Sequence, residues 1–575
     1  MRRDKGQNES QPEIRTEEWR GRIVLACFAV AFGLLVIRAV DLQVTDRDFL
    51  TEEGNKRHVR SLLVPAGRGA IRDRRGEPLA LSAPVESVWA VPGSLLEEEK
   101  RLGSLASLLE IDESQLRADL KKRSTRQFMY LRRHMQPSQA KRVLALDLPG
   151  VFTQREYRRF YPAAEVTAQM VGFTDIDNRG QEGIELALEE LLHGEKGSRR
   201  VIKDRMGRVV DDLAQFIPPR PGEDVDLTID LRLQYIAYRE LARAVTDHKA
   251  KGGLAIIADP HTGDILAAAS YPSFNPNRRE DLGGDGVRFR PATDVFEPGS
   301  TFKPLVVARA IEQGLYGRNS IISTHGGTYR VGRLLVRDFR NYGDVSLKHL
   351  LTKSSNVGAA KIGLALGAKR LWSNYHDFGF GIESGIGFPG ENSGVLRPHH
   401  LWGEVHTATA SYGYGVSVNA LQLVRAYSAL AADGMLPSLR LWNDGREHVG
   451  ERIMSARTAQ LTREFMTGVV TEQGTARRAA IPGYEVVGKT GTVRKVAVGG
   501  YAADRHQSFF VGMVPAAKPQ LVGMVMIDEP GGKEYYGGAV AAPAFSSMVG
   551  QTLRLLRIPP ADSLVQSTDK VGAPS

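Results

Sequence analysis

The spacing of apolar positions changes twice along the chain, marking three regions. Between Arg22 and Arg38 the run Ile23 to Ile37 contains no charged residue. A helix apolar on every side suits a bilayer better than the half-exposed surface of a soluble domain. Its fifteen apolar or glycine positions fall short of the ~18 to 20 of an ordinary span. Trp19 and the flanking arginines extend it by interfacial anchoring and snorkelling. No small-x-small site comes after the run, which argues against a cleaved signal peptide. Six Lys or Arg residues precede the segment, and Arg38, Arg47, Lys56 and Arg57 lie beyond it. The bias is toward a cytoplasmic N-terminus.

From about Asn55 to Val225, short extended runs alternate with helical periodicity. Arg68 to Ala80 reads as strand, turn and strand, with Gly76 in the turn. Leu95 to Ile111, Pro137 to Leu146 and Gly180 to His193 read as helices. Nothing in this stretch converges on chemistry, so it is expected to be a non-catalytic module. The cluster Pro218-Pro219-Arg220-Pro221-Gly222 is stiff and non-helical and marks its end.

Beyond that cluster the order is strand (Val225 to Ile229), helix (Leu231 to Val245), strand (Gly253 to Ala258), turn and returning strand (Ile265 to Ala269). Helices come next, and strands resume between Glu485 and Ile527. The pattern predicts an α+β domain, one antiparallel sheet flanked by helices, with the apolar strands Phe509 to Val514 and Leu521 to Ile527 at its centre.

Composition narrows the chemistry. The 575 residues are 42% hydrophobic and 25% charged, as in a globular protein with more than one domain. The net charge of +10 comes from interspersed residues, so it reads as solvated surface with a bias toward anionic surroundings and not as a nucleic-acid tract. The single cysteine, Cys27, lies in the apolar segment. Disulfides, thiolate catalysis and cysteine-based zinc sites are therefore excluded. The histidines are scattered and His-Glu-x-x-His is absent, so neither a metal nor a cofactor is expected.

The strongest chemical signal is Glu297-Pro298-Gly299-Ser300-Thr301-Phe302-Lys303-Pro304, at the start of a predicted helix from Phe302 to Leu315. Ser300 and Lys303 lie one turn apart on one face. A lysine desolvated at the positive end of a helix has a lowered pKa and can take a serine's proton. Alone, the pair reads more simply as an N-cap serine beside a solvent-facing lysine, and Ser138-Gln139-Ala140-Lys141 repeats the spacing. Two later triplets carry the case. Ser354-Ser355-Asn356 comes after a predicted helix, Val345 to Leu351, and offers a proton-relaying hydroxyl and a carboxamide. Lys489-Thr490-Gly491, continuing into Thr492, lies on an extended run and offers a cation and hydroxyls to a carboxylate, with a strand edge for an extended peptide.

Two nucleotide-binding patterns are decoys. Gly483 to Thr490 matches the phosphate-binding loop letter for letter, but the residues after Thr490 are β-like and no helix opens there. Gly385 to Gly390 spells a dinucleotide fingerprint with no helix after it.

The set Ser300/Lys303, Ser354/Asn356 and Lys489/Thr490/Gly491 resembles the serine β-lactamase and penicillin-binding protein pattern, and the chain as a whole resembles a class B penicillin-binding protein. Arg68-Gly69-Ala70-Ile71 with Asp73-Arg74 and Gly76 is similar to that family's N-terminal module. Tyr412 to Gly415 and Gly537-Gly538 with Ala542-Pro543 are similar to its transpeptidase domain. Phe160-Tyr161-Pro162, Gly172 to Asp175 and Gly180 to Glu185 resemble the division-specific, FtsI-type branch.

The resemblance implies a peptidoglycan D,D-transpeptidase. Ser300 would attack the penultimate D-Ala carbonyl of a stem peptide, with Lys303 as base, and an amine from a neighbouring stem would resolve the acyl-enzyme. Ser354 would relay protons with Lys489, and the amides of Ser300 and Thr492 would form the oxyanion hole. Thr490 and Thr492 would hold the substrate carboxylate, and Asn356 its side-chain amide. β-Lactams would acylate the same serine. The implied organisation is a cytoplasmic tail (1–20), an inner-membrane anchor (21–41), a pedestal or dimerisation-type module (55–222), a periplasmic transpeptidase domain (225–557) and a flexible tail (558–575). The implied partners are a membrane glycosyltransferase of the FtsW type and other divisome proteins. The middle triplet has Ser where the best-known β-lactamases have Asp, and no deacylating glutamate is assignable, both of which argue against a β-lactamase. A carboxypeptidase, an elongation-type or conditional paralogue, a β-lactam sensor and a silent scaffold remain open at this level.

Overall fold

The computed structural model describes residues 18–45, 47, 59–203, 209–446, 448–497 and 500–560. Of the expected tails at 1–20 and 558–575, residues 1–17 and 561–575 lie outside these residues. Helix α1, Glu18–Val40, continues into a π-helical turn, Asp41–Thr45. The helical segment Trp19–Thr45 is the one helix among the described residues long and apolar enough to cross a membrane. It is longer than the apolar run alone because the flanking Arg20, Arg22 and Arg38 are themselves helical.

In the next module the long strand β1, Pro78–Ala90, is the hub. It pairs antiparallel with β2, Met129–Met135, on one side and with β3, Val151–Phe160, on the other, the latter in unbroken register from Leu81↔Phe160 to Ala90↔Val151. Short helices pack Leu95, Leu102, Leu105, Leu109, Leu116, Leu120 and Val143 beneath it. The predicted helix Leu95 to Ile111 is broken into Pro92–Leu96, a 3-10 turn and Leu102–Leu109. That predicted from Gly180 to His193 is two short helices, Gly183–Ala187 and Glu189–Leu192, because Leu188 leaves the helical region at φ −114°.

A buried ion cluster ties these parts together. Glu185, fully buried, accepts from Arg68 Nε at 2.5 Å and from Arg159 Nε at 2.6 Å, and Arg68 Nη1 reaches Glu189 at 2.6 Å. Buried charge is tolerable only when paired and hydrogen-bonded in this way. Gly180 stands so close that a Cβ there would lie 2.0 Å from the Glu185 carbonyl oxygen. The stretch from Gly180 to Glu185 is thus a device for seating one carboxylate.

The second large unit is built on a five-stranded antiparallel sheet. In chain order its elements are α2 (Leu231–Asp247), β4 (Gly252–Ala258), β5 (Ile265–Tyr271), α3 (Lys303–Glu312), α4 (Leu347–Lys353), α5 (Asn356–Asp377), α6 (Ala420–Ala431), β6 (Val487–Ala497), β7 (Gly500–Val514), β8 (Leu521–Asp528) and α7 (Ala542–Leu555). The strand order is β5-β4-β8-β7-β6, which leaves β6 as an edge. Every residue of β4 and β8 is buried, because both faces are covered. Leu254, Ile256, Met524 and Met526 face a core shared with α6, whereas Ala255, Ile257, Val525 and Ile527 pack with Leu241 of α2 and Phe545 of α7. Strands covered on both sides read as continuous apolar runs, not as alternation. Two expectations shift slightly: residues 344–346 form a short strand before α4, and Val225–Asp226 is the only regular strand between Val225 and Ile229.

Candidate active site

Ser300 sits in a 3-10 turn, Gly299–Phe302, immediately before α3, so the predicted helix begins at Lys303. The turn is anchored on three sides. Thr301 Oγ1 donates to the Pro298 carbonyl at 2.6 Å, Tyr427 of α6 donates to the Thr301 carbonyl at 2.9 Å, and the Phe302 ring packs against Tyr375 and Phe380. Gly299, at φ +52°, donates to the Gly413 carbonyl at 3.0 Å, and a Cβ on Gly413 would meet Gly299 O at 2.1 Å. The Tyr412 to Gly415 stretch is therefore the close-packed back of the serine turn.

Lys303 points inward and is fully buried. Its Nζ lies 2.6 Å from the Ser354 carbonyl oxygen, 3.1 Å from Ser354 Oγ and 2.7 Å from Asn356 Oδ1. The expected face-sharing with Ser300 holds along the backbone, yet among the described residues Ser300 Oγ has no hydrogen bond. The lysine's direct contacts are all to the middle triplet. Burial and the nearby charge of Lys489 hold the Lys303 amine well below the usual lysine range, and Asp338 acts in the opposite sense. A neutral amine has two N–H groups, which the Ser354 carbonyl and Asn356 carboxamide can accept. Its lone pair then remains for a hydroxyl proton.

The middle triplet sits where α4 ends and α5 begins. Ser354 caps α4 in the left-handed conformation, φ 59° and ψ 44°, and Ser355 caps α5 by accepting from Gly358 N at 2.9 Å. No motif marks Asp338, which the fold brings here. Its carboxylate accepts from Ser355 Oγ at 2.6 Å, from Asn356 N at 2.5 Å and from Val357 N at 3.0 Å. Asn356 Nδ2 donates to the Arg337 carbonyl at 3.0 Å, so its amide is held between that strand end and Lys303.

Lys489, Thr490, Gly491 and Thr492 lie on the edge strand β6, opposite Val511, Phe510, Phe509 and Ser508 of β7. The phosphate-loop match fails for the expected reason: Lys489-Thr490 is inside a strand that runs to Ala497. Lys489 is fully buried, with, among the described residues, only long contacts to Thr490 O (3.3 Å) and Thr490 Oγ1 (3.4 Å), and burial lowers its pKa to about 7. Thr490 Oγ1 is 3.0 Å from Thr475 Oγ1, and Thr492 Oγ1 accepts from Gly537 N at 2.9 Å, leaving the Thr492 hydroxyl proton to give to a ligand. Gly491 is required by packing, since a Cβ there would lie 2.1 Å from the Phe509 ring.

Beside Thr492 opens a cleft of about 390 Å³ walled by Tyr414, Tyr501, Tyr535, Tyr536, His506 and Arg494. Glu297, just before the serine turn, accepts from Gly415 N at 2.7 Å and from the Tyr501 hydroxyl at 2.9 Å, and burial raises its pKa. Neither Glu297 as a tether nor the aromatic wall is readable from motif spacing. Among the described residues no cluster of metal-ligating side chains occurs.

Both large units have known relatives. Residues 253–550 match the penicillin binding protein transpeptidase domain, and residues 63–227 the penicillin-binding protein dimerisation domain. The chain is 40% identical over 549 residues to a probable peptidoglycan D,D-transpeptidase PbpC of Pseudomonas aeruginosa, covering 96% of this chain and 97% of that one. It is 37% identical over 547 residues to the peptidoglycan D,D-transpeptidase FtsI of Escherichia coli, covering 94% and 92%. Among solved structures, the apo transpeptidase domain of Burkholderia pseudomallei penicillin-binding protein 3 superposes with a TM-score of 0.54 at 38% identity, covering 58% of this chain and 97% of that one. A buried lysine beside a serine turn, a capped Ser-Ser-Asn loop and a Lys-Thr-Gly edge strand thus occur in a chain that belongs to the penicillin-binding transpeptidase family, in its class B, FtsI/PenA-type branch.

Proposed function

We propose that the chain cross-links peptidoglycan stem peptides through an acyl-enzyme on Ser300 and does so in septal wall synthesis. The observation that carries this reading is the complete burial of Lys303 with its amine held by Ser354 and Asn356, which sets an amine of lowered pKa one turn from a serine hydroxyl. Lys303 takes the Ser300 proton as the oxygen attacks the penultimate D-Ala carbonyl. The amides of Ser300 and Thr492 receive the developing oxyanion. Lys489, Thr490 and Thr492 hold the terminal carboxylate, and Asn356 orients the side-chain amide. As the tetrahedral adduct collapses, the C–N bond to the terminal D-Ala breaks, and the leaving amine takes a proton by way of Ser354 and Lys489. An amine from a second stem then attacks the ester, restoring the Ser300 hydroxyl and forming the cross-link.

The open edge of β6 supports this reading, since an extended stem peptide can pair with it as an added strand. The same reading places α1 in the inner membrane with the catalytic domain in the periplasm, and pairs the chain with an FtsW-type glycosyltransferase and other divisome proteins. Incubation with a donor stem peptide ending in D-Ala-D-Ala and an amine acceptor tests the chemistry. The expected result is a cross-linked dimer with one free D-Ala per link. Release of D-Ala with a hydrolysed donor and no dimer would make the enzyme a carboxypeptidase. Depletion in cells is expected to give filaments with blocked septa, and rounded cells would instead assign an elongation role.

A further inference from the structure

Away from the active site, residues of the two matched regions close around a second cleft of about 500 Å³. One wall is pedestal: Arg158, Arg159 and Tyr161 of or just after β3, with the turn at Thr174 to Asn178. The other is the loop from Pro276 to Leu282, which belongs to the transpeptidase region. Asn277 pins the walls together, accepting from Tyr161 N at 3.0 Å and donating to Tyr161 O at 3.0 Å. The lining holds six arginines against two carboxylates, Asp175 and Glu280. Arg132, Arg133 and Arg159 have their own ion pairs, with Glu110, Glu156 and Glu185. Among the described residues Arg158, Arg278 and Arg279 have no carboxylate partner.

Two further observations concern the inner part of the cleft. Arg159 is 5% exposed and Tyr161 3%, and Arg159 Nη2 and the Tyr161 hydroxyl are without a hydrogen-bond partner. Arg159 cannot turn to find one, because Nε is fixed by Glu185 at 2.6 Å and Nη1 by the Gly69 carbonyl at 2.7 Å. Buried polar groups left without a partner are uncommon.

We propose that this cleft is a second binding site, for a carboxylate-bearing stem of the peptidoglycan polymer. The exposed guanidinium groups of Arg158, Arg278 and Arg279 can each pair with a carboxylate. Thr174 and Asn178 line the same cleft with neutral polar groups of the kind that pair with amides and sugar hydroxyls. A concave cavity of this size suits a residue-scale unit of a polymer better than a flat protein epitope. The assignment rests on peptidoglycan being the substrate. It makes the junction between pedestal and catalytic domain a place where the polymer is held while another part of it reacts at Ser300.

The test uses the full chain in detergent, with Ser300 first acylated by a penicillin so that the donor side of the active site is blocked. Calorimetric titration with an uncrosslinked disaccharide-pentapeptide is expected to show saturable binding. Binding should weaken at least tenfold in Arg158→Gln/Arg278→Gln/Arg279→Gln, and likewise when the ligand's carboxylates are converted to carboxamides. The rate of penicillin acylation should be the same in the variant as in the parent, which shows an intact fold and catalytic site. No binding to the blocked parent, unchanged binding in the variant, or indifference to amidation would each overturn the proposal. Tighter binding of a hexaglutamate peptide than of the disaccharide-peptide would overturn it in favour of an acidic protein partner. Failure of the parent to acylate at all would count against the reading of Ser300, and the same titrations on unblocked protein would still decide the cleft.

Discussion

The Lys303 amine lies 2.6 Å from the backbone carbonyl of Ser354, a residue held in left-handed backbone at the end of one helix and the start of the next. The amine is therefore positioned by a carbonyl that cannot rotate away. Replacing Lys303 with Ala is expected to slow penicillin acylation by about 10²- to 10⁴-fold, the ordinary worth of a general base, and to lower Tm, because it leaves a cavity and takes the donor from the Ser354 carbonyl and the Asn356 carboxamide. Stopped-flow acylation and a thermal melt on the same samples check both halves.

Asp338 holds the Ser355 hydroxyl and two amides at the start of α5, and its charge favours the protonated form of Lys303. Asp338→Asn removes that charge while keeping one acceptor oxygen. The sign is direct: Lys303 loses its proton at lower pH, so the acid limb of the acylation profile moves down in pH. A fall in rate of about tenfold at neutral pH accompanies it as the loop loosens, in line with the effect of removing groups that orient a reacting residue. A pH profile separates this from a merely structural loss, which would lower the rate at every pH without moving the limb.

Lys489 carries a stability cost of known sign. Its folded pKa is about 7 against a reference of 10.5, so the unfolded chain binds more protons than the folded one between those values. Stability therefore rises with pH across that window as the cost of burying the charge is relieved, and the full cost is felt below pH 7. Lys489→Met is expected to raise Tm at pH 6 to 7, to lose that advantage progressively toward pH 10, and to abolish acylation. Melts across the pH range read the difference.

In the pedestal, Glu185→Ala leaves Arg68 and Arg159 buried without their shared acceptor. Breaking one side of a buried pair costs about 3 to 5 kcal/mol. The expected result is early unfolding of the pedestal in a denaturant titration, with penicillin acylation retained until the second transition. A variant as stable as the parent would mean that the cluster contributes little.

The parts of the site legible in the sequence are those that are local in the chain. Ser300 with Lys303, Ser354 with Asn356, and Lys489 through Thr492 each fit within one turn or one strand, so their spacing reports geometry. Asp338, Thr475 and Glu297 act on residues brought to them by the fold, and no spacing marks them. The same divide holds for the sheet. Its strands are readable as apolar runs, but not the order that puts β8 between β4 and β7, because both faces are buried and no alternation reveals a neighbour. Helix breaks at Glu97 to Glu98 and at Leu188 escape a sequence reading for a related reason: propensity favours a continuous helix, and tertiary context overrides it.

Intact-mass analysis of the full chain after exposure to a penicillin, beside Ser300→Ala, tests the central claim most directly. The account predicts an added mass of one penicillin that persists for hours and is absent from the variant. A folded parent that takes up no adduct, an adduct that survives in Ser300→Ala, or one that disappears within minutes by hydrolysis would contradict it.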